Sequence, residues 1–193
     1  MTGARPIVVR PTVAADWPAL KQLRLAALRD APTAFGVTHA QALGNSDAQW
    51  LARAAGSGPG TFYMAWHGQE AIGMAAAVSG DDGKVGLIAM WVAPAWRGDP
   101  RSVAARLVDA VKARAVAVGA AGLLLEVAPS NARAVAFYAR QGFQFQSHVE
   151  RLASHPEIEV QRMAWKVGDR RSAPVPSFTR SPATPAADDA WRF

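Results

Sequence analysis

A mixed α/β fold, with a mostly antiparallel central sheet flanked by helices, is predicted by three features of this 193-residue sequence. Three β-rich runs follow one another between residues 61 and 92 with only turn residues between them. The apolar period then changes from two to 3.6, and beyond that point helical and strand patterns alternate before two final strands. The predicted order is β-α-α-β-β-β-α-β-α-β-β, which places helices on the faces of one sheet.

Ile7-Val8-Val9-Arg10 is short and β-rich, a first strand. Asp16 is a candidate cap for a helix whose first turn accepts Pro18, and Leu20, Leu23, Leu25 and Leu28 supply its apolar stripe. Ser46-Asp47-Ala48-Gln49 has the form of a capping box and opens a shorter helix through Trp50, Leu51 and Ala54. Thr61 to Trp66 pairs with Ala71 to Val78 across His67-Gly68-Gln69-Glu70, and Asp81-Asp82-Gly83 leads into Val85 to Val92. Val103, Leu107 and Val111 make one face of the next helix, and Leu123 to Val127 is a compact strand. A helix over Asn131 to Arg140 stops at Gly142, and Phe143 to Leu152 and Ile158 to Lys166 are the last strands, joined by a loop holding Pro156.

With 50% hydrophobic and 19% charged residues, the chain suits one compact domain over residues 1–167. From Gly168 to Phe193 the composition shifts to Pro, Ala, Ser and Thr, as in a linker or tail. There is no cysteine, which excludes a thiol nucleophile and thiolate metal sites. His39 and His67 have no metal-ligand companions, so no metal is expected. The sequence lacks an 18-residue apolar run and an apolar signal region, and is read as soluble, cytoplasmic and free of the membrane. Its formal charge of +6 is scattered, with only Arg170-Arg171 adjacent among arginines. A nucleic-acid groove therefore has no local support, whereas an anionic, phosphate-rich small molecule satisfies the same charge.

Two segments carry chemistry. Met90 to Ser102 runs from a strand through a turn to a helix start, where exposed N–H groups and the helix dipole form an anion site. Arg97 and Arg101 would stand at its mouth. The second segment, Pro129 to Phe143, follows Glu126 at a strand end and brings a helix start and a tyrosine to the same edge. Phe137 and Tyr138 are adjacent, so one is expected in the core and the other toward a cleft.

These segments resemble the GNAT family, the Gcn5-related N-acetyltransferases. The later stretch matches the family pattern at Asn131, Ala132, Ala134, Phe137, Tyr138, Gly142 and Phe143. Arg24-Leu25, Ala27-Leu28-Arg29-Asp30-Ala31-Pro32, Ala34 and Phe35-Gly36 are similar to the run that leads many members into the acceptor-side loop. The phosphate loop departs from the pattern, with Pro100 and Ser102, or Ser102 and Ala104, where glycines stand in the family. The resemblance covers residues 7–166.

It implies acetyl transfer from acetyl-CoA to a primary amine in a ternary complex, without a covalent enzyme intermediate. Arg97, Gly98, Asp99, Arg101, Ser102, Val103 and Ala104 would bind the pyrophosphate. Met90, Trp91 and Val92 would line the pantetheine arm, with a strand N–H near Met90 or Trp91 polarising the thioester carbonyl. Asn131, Arg133 and Phe137 would complete the cofactor site, and Tyr138 would protonate the departing thiolate. For the general base, Glu126, His155, His148 and a water chain remain open. Phe35, Trp50 and Glu126 are the expected acceptor-side residues, and the acceptor is a small-molecule amine or a peptide or protein amine. A homodimer through the last strands is expected, with Trp191 and Phe193 as further apolar area. The alternative reading, prompted by Pro100 and Ser102, is an inactive domain that binds acetyl-CoA or a partner as a sensor.

Overall fold

The computed structural model describes residues 5–80, 83–98 and 102–168. The sheet has seven strands in the order β1-β2-β3-β4-β5-β7-β6. They are β1 (Ile7–Pro11), β2 (Gly60–His67), β3 (Glu70–Ser79), β4 (Val85–Val92), β5 (Gly122–Val127), β6 (Gln144–Leu152) and β7 (His155–Lys166). The helices are α1 (Trp17–Asp30), α2 (His39–Leu43), α3 (Asp47–Ala54), α4 (Val103–Ala117) and α5 (Ala132–Arg140). The chain after Gly168, with Trp191 and Phe193, and the Asp81-Asp82 turn fall outside the described residues. Among the described residues no helix is long and apolar enough to cross a membrane.

The predicted mixed, mostly antiparallel sheet is present, and its one parallel contact, β4 with β5, forms the centre of the fold. That contact holds only at Val85 with Leu123 and Gly86 with Leu124, after which the strands diverge. A bulge drives the divergence. Met74 pairs with Trp91 and Ala76 with Ile88, so β4 carries an extra residue at Ala89-Met90. Ala89 has φ of +53°, a left-handed conformation that costs a non-glycine residue about 1–3 kcal/mol. A bulge bends its own strand, and β4 turns away from β5 at this point.

Each face of the sheet has its own core. On one face, α4 packs Val103, Leu107, Val108 and Val111 against Ile72, Leu123, Leu125 and Met163. Gly73 allows that approach, since a Cβ there would lie 3.0 Å from the Trp91 carbonyl oxygen and 3.1 Å from Leu107 Cδ1. The other face is covered by α1 and α3, whose Leu20, Leu28 and Trp50 meet Met64, Met74 and Ala89. The Ser46 capping box forms as predicted, its hydroxyl accepting from Gln49 N–H while Gln49 Oε1 accepts from Ser46 N–H.

Four local expectations are corrected. Asp16 makes no side-chain cap on α1; its carboxylate turns back to Val13 N–H and takes a two-point bond from Arg10, at 2.6 and 2.9 Å. In α1 the buried stripe includes Arg24, while Leu25 is half-buried. An additional helix, α2, precedes α3, and its signal was present as Thr38 capping Gln41 across a T-x-x-Q box. Pro156 lies inside β7, which at that end has only β6 for a neighbour and a register shift, so no ladder bond is lost.

Helix α5 is anchored by Lys112, a buried lysine on α4. Its ammonium donates to the Gln141 carbonyl at 2.7 Å, just past the end of α5, and lies 5.0 Å from the Trp165 ring and 5.8 Å from Phe143. A cation is favourable against those terminal carbonyls and ring faces, and burial lowers its pKa from the ordinary lysine value.

The tightest backbone approach is at Gly122, where a Cβ would meet the Trp165 carbonyl oxygen at 2.1 Å. Gly122→Ala is expected to destabilise the protein by about 3 kcal/mol through overpacking between β5 and β7. Gly36→Ala, which faces open space, is expected to stay within about 0.5 kcal/mol of the parent. Urea midpoints of the two variants, taken side by side, check the difference.

Candidate active site

The cleft opens where β4 leaves β5. One bank is the second half of β4, with Met90, Trp91 and Val92, and the other is the end of β5, with Glu126. The backbone groups on the facing edges of these strands have no ladder partner beyond Gly86 and Leu124. Buried backbone donors and acceptors demand partners, so the gap is suited to an extended ligand with amide groups of its own.

At the cleft's end stands the start of α4. Ser102, in the left-handed region with φ of +49° and ψ of +62°, is its N-cap. The first intrahelical bond is Arg106 N–H to Ser102 C=O at 3.1 Å, so the N–H groups of Val103, Ala104 and Ala105 carry no intrahelical acceptor. With the dipole behind them, these donors are of the type that suits an anion. The helix begins at Val103, so Pro100 precedes it instead of occupying its first turn. Asp99, Pro100 and Arg101 lie outside the described residues.

Arg97 is placed differently from expectation. Its Nε donates to the Val92 carbonyl at 2.9 Å, and its Nη2 is paired with Asp30 Oδ2 at the C-terminus of α1. The same carboxylate oxygen accepts from Trp91 Nε1 at 2.9 Å, and the guanidinium lies 5.7 Å from the Trp91 ring centre. A carboxylate at a helix C-terminus is electrostatically unfavourable alone, and the Arg97 bond compensates it. That bond, with the Trp91 bond, holds the Asp30 carboxyl below the usual aspartate range. Arg97 thus straps the end of β4 to α1. Trp91 is buried on the α1 face, and Gly98, with φ of +79°, makes the turn that follows.

Glu126 stands directly opposite Arg162 in the β5–β7 register. Arg162 Nη2 lies 3.6 Å from Glu126 Oε1 and 3.5 Å from Glu150 Oε1, and Glu150 also binds His148 Nε2. Desolvation, then the like charge of Glu150, pushes the Glu126 carboxyl up, with Arg162 and His148 opposing. His155 sits away from this group, 3.2 Å from Glu157. Sequence reasoning missed Arg162 and Glu150 because only the antiparallel register of β5, β7 and β6 brings them to Glu126.

On α5, Asn131 caps the helix by accepting from Ala134 N–H at 3.1 Å, and it and Arg133 are exposed. The expectation that Phe137 and Tyr138 face opposite ways is corrected: both rings pack partly against the α4-side core, 5.2 Å apart edge to face. Tyr138 also meets Phe143 at 5.8 Å, and burial raises its phenol pKa. Phe35 and Trp50 are buried in the α1-side core, so neither forms an open wall. The Phe35 carbonyl accepts from Ser154 Oγ, tying the α1–α2 connection to the β6–β7 turn. Among the described residues no cluster of three or more His, Asp or Glu side chains is placed to hold a metal ion.

A family model described as "Acetyltransferase (GNAT) family" matches residues 20–143, spanning the α1 side, the cleft and α5. The chain belongs to this family. No curated protein matches it by sequence. Among solved structures, a GNAT-family acetyltransferase from Streptococcus pneumoniae superposes with a TM-score of 0.69 at 17% identity, covering 84% of this chain and all of that one. Arabidopsis thaliana NAA60 in complex with acetyl-CoA gives 0.62 at 16% identity, over 84% of this chain and 99% of that one. Spermidine N-acetyltransferase from Vibrio cholerae, with CoA and spermine, gives 0.66 at 16% identity, over 83% and 95%. At these identities the likeness is one of fold.

The Asp30 strap has a measurable pH signature. A carboxyl held below its unfolded-state value stabilises the fold above about pH 4, and that contribution disappears as pH falls through the folded-state pKa. Asp30→Asn is expected to lower stability at neutral pH and to lose less than the parent between about pH 5 and pH 2. Denaturation midpoints across that interval provide the check, and parallel acid limbs would show that the strap contributes nothing.

Proposed function

We propose that this protein is an N-acetyltransferase that carries an acetyl group from acetyl-CoA to a primary amine by direct attack within a ternary complex. The observation that carries the reading is the junction of the β4–β5 gap with the Ser102 helix start. The gap offers unpaired strand edges to a pantetheine arm, and the N–H groups of Val103, Ala104 and Ala105 meet a pyrophosphate at its end. Acetyl-CoA supplies an activated thioester; everything else is done by the chain.

In this reading the acceptor reaches the splay as an ammonium and must lose a proton before it attacks. Glu126, with its carboxyl raised by desolvation and the like charge of Glu150, takes that proton. A strand N–H near Met90 or Trp91 stabilises the developing oxyanion. The Tyr138 phenol, kept neutral by burial, donates its proton to the departing thiolate. Met90, Val92, Asn131, Arg133 and Phe137 border the cofactor arm. Arg97 contributes by fixing the end of β4 through Asp30, and direct phosphate contact falls to the helix N–H groups and Arg101.

Two measurements test this. Calorimetric titration with acetyl-CoA is expected to show saturable micromolar binding, and absence of binding would favour a domain that binds a partner instead. In a thiol-release assay, Tyr138→Phe is expected to lower kcat by roughly 10²-fold with cofactor affinity retained. Glu126→Gln is expected to act similarly and to abolish the acid limb of the kcat/KM profile, because the base works only above its raised pKa. Unchanged turnover in either variant removes that residue from the mechanism.

A further inference from the structure

The face of β5, β7 and β6 turned away from α4 carries a groove that the mechanism above does not use. Leu123, Leu125 and Met163 point into the α4-side core, so the alternate residues Leu124, Glu126, Ala164 and Arg162 lie on the opposite face. The α1-side core takes in no residue of β5, β6 or β7. Over this half of the face lies a cavity of about 260 Å³, smaller than the pockets that take drug-sized ligands.

Strand register shapes the groove. Leu124 stands opposite Ala164, and the two give it an apolar floor. On β6, Phe145 pairs with Met163 and Val149 with Gln161, so Gln146, Ser147 and His148 stand against Arg162 alone. A bulge bends its strand and re-aims the side chains it carries, and here it builds one wall. The Gln161 side chain fixes that bulge by donating from Nε2 to the Gln146 carbonyl at 2.8 Å. Lys166 lines the far end, four residues along β7 from Arg162 and roughly 13 Å away in an extended strand.

Arg162 connects the groove to the proposed base. It lines the cavity and stands opposite Glu126, and its Nη2 lies 3.6 Å from Glu126 Oε1 and 3.5 Å from Glu150 Oε1. Both separations exceed a good N–H···O bond of about 2.7–3.2 Å, so the guanidinium is shared by two carboxylates and committed to neither. An ammonium entering along the groove meets the same two carboxylates. It satisfies Glu126 as Arg162 does, and Glu150 remains as the partner of the displaced guanidinium. A second ammonium on the same molecule faces the like charge of Lys166 or Arg162.

We propose that this groove is the acceptor subsite. It holds a small primary amine with a single positive charge and a compact apolar body, whose ammonium takes the place of Arg162 at Glu126 while Arg162 moves to Glu150. This rests on the acetyl-transfer reading above.

The test uses the full chain in the presence of CoA, with n-butylammonium as the probe. Carbon-13 resonances of the Leu124 methyl groups and of the Glu126 carboxyl are followed during the titration, and both are expected to shift saturably in the parent. Ala164→Leu, which fills the floor, is expected to weaken binding by at least about tenfold. Glu150→Gln, which leaves Arg162 with Glu126 alone, is expected to weaken it by at least about fivefold. A dispersed spectrum establishes that each variant is folded. Absence of saturable shifts in the parent, or equal binding in Ala164→Leu, overturns the subsite, and equal binding in Glu150→Gln overturns the displacement of Arg162. Leu124 signals that shift on dilution without amine place a second copy in the groove and overturn the proposal too. In the thiol-release assay n-butylamine is expected to exceed 1,4-diaminobutane in kcat/KM by at least about tenfold, and preference for the diamine overturns the assignment to a single charge. Butylammonium binding that depends on Ala164, in a protein to which CoA does not bind, would uphold the subsite and sink the acetyl-transfer reading.

Discussion

The separation of β4 from β5 is the constraint on which the rest of the molecule depends. Two parallel strands at the centre of a seven-stranded sheet pair at just two positions and then part, because β4 carries one extra residue at Ala89-Met90. A strained alanine in the left-handed region is retained there by packing in the α1-side core. The result is a polar slot between two otherwise apolar cores. Its strand edges are unpaired, and the start of α4 closes one end.

The two faces of the sheet then take different work. On the α4 side, Lys112 pins the end of α5 to α4, and the rings of Phe137, Tyr138 and Phe143 pack together beneath it. This fixes the helix that carries the proposed proton donor. On the α1 side the fastening is ionic, through Arg97, Asp30 and Trp91, and it links the end of β4 to α1. The α4 side is thus fastened by ring packing and a buried ammonium, and the α1 side by charged contacts.

Glu126 and Tyr138, the proposed base and acid, are shifted in the same direction. Desolvation raises both pKa values, joined at Glu126 by the like charge of Glu150. In the proposed mechanism this strengthens Glu126 as a base and keeps the Tyr138 phenol protonated until the thiolate departs. Arg162 limits the rise at Glu126 by sharing its charge with Glu150. That balance depends on strands far apart in the chain meeting in register.

Much of this was legible in the sequence. Periodicity located every strand and the four longer helices, because burial of one face imposes a period of two or 3.6 whatever the fold around it. The Ser46 box, the Asn131 cap and the helix start near Ser102 were likewise readable, since they depend on residues within a few positions of one another. Five-residue α2 was passed over although its Thr38 box was visible, because a single turn offers no periodicity. Tertiary structure alone decided that Arg97 turns to Asp30, that Arg24 is buried beside Phe35, and that Arg162 and Glu150 gather at Glu126. Each of these joins groups between roughly ten and seventy residues apart, and pairing at such distance is set by strand register and helix packing, which local sequence does not encode.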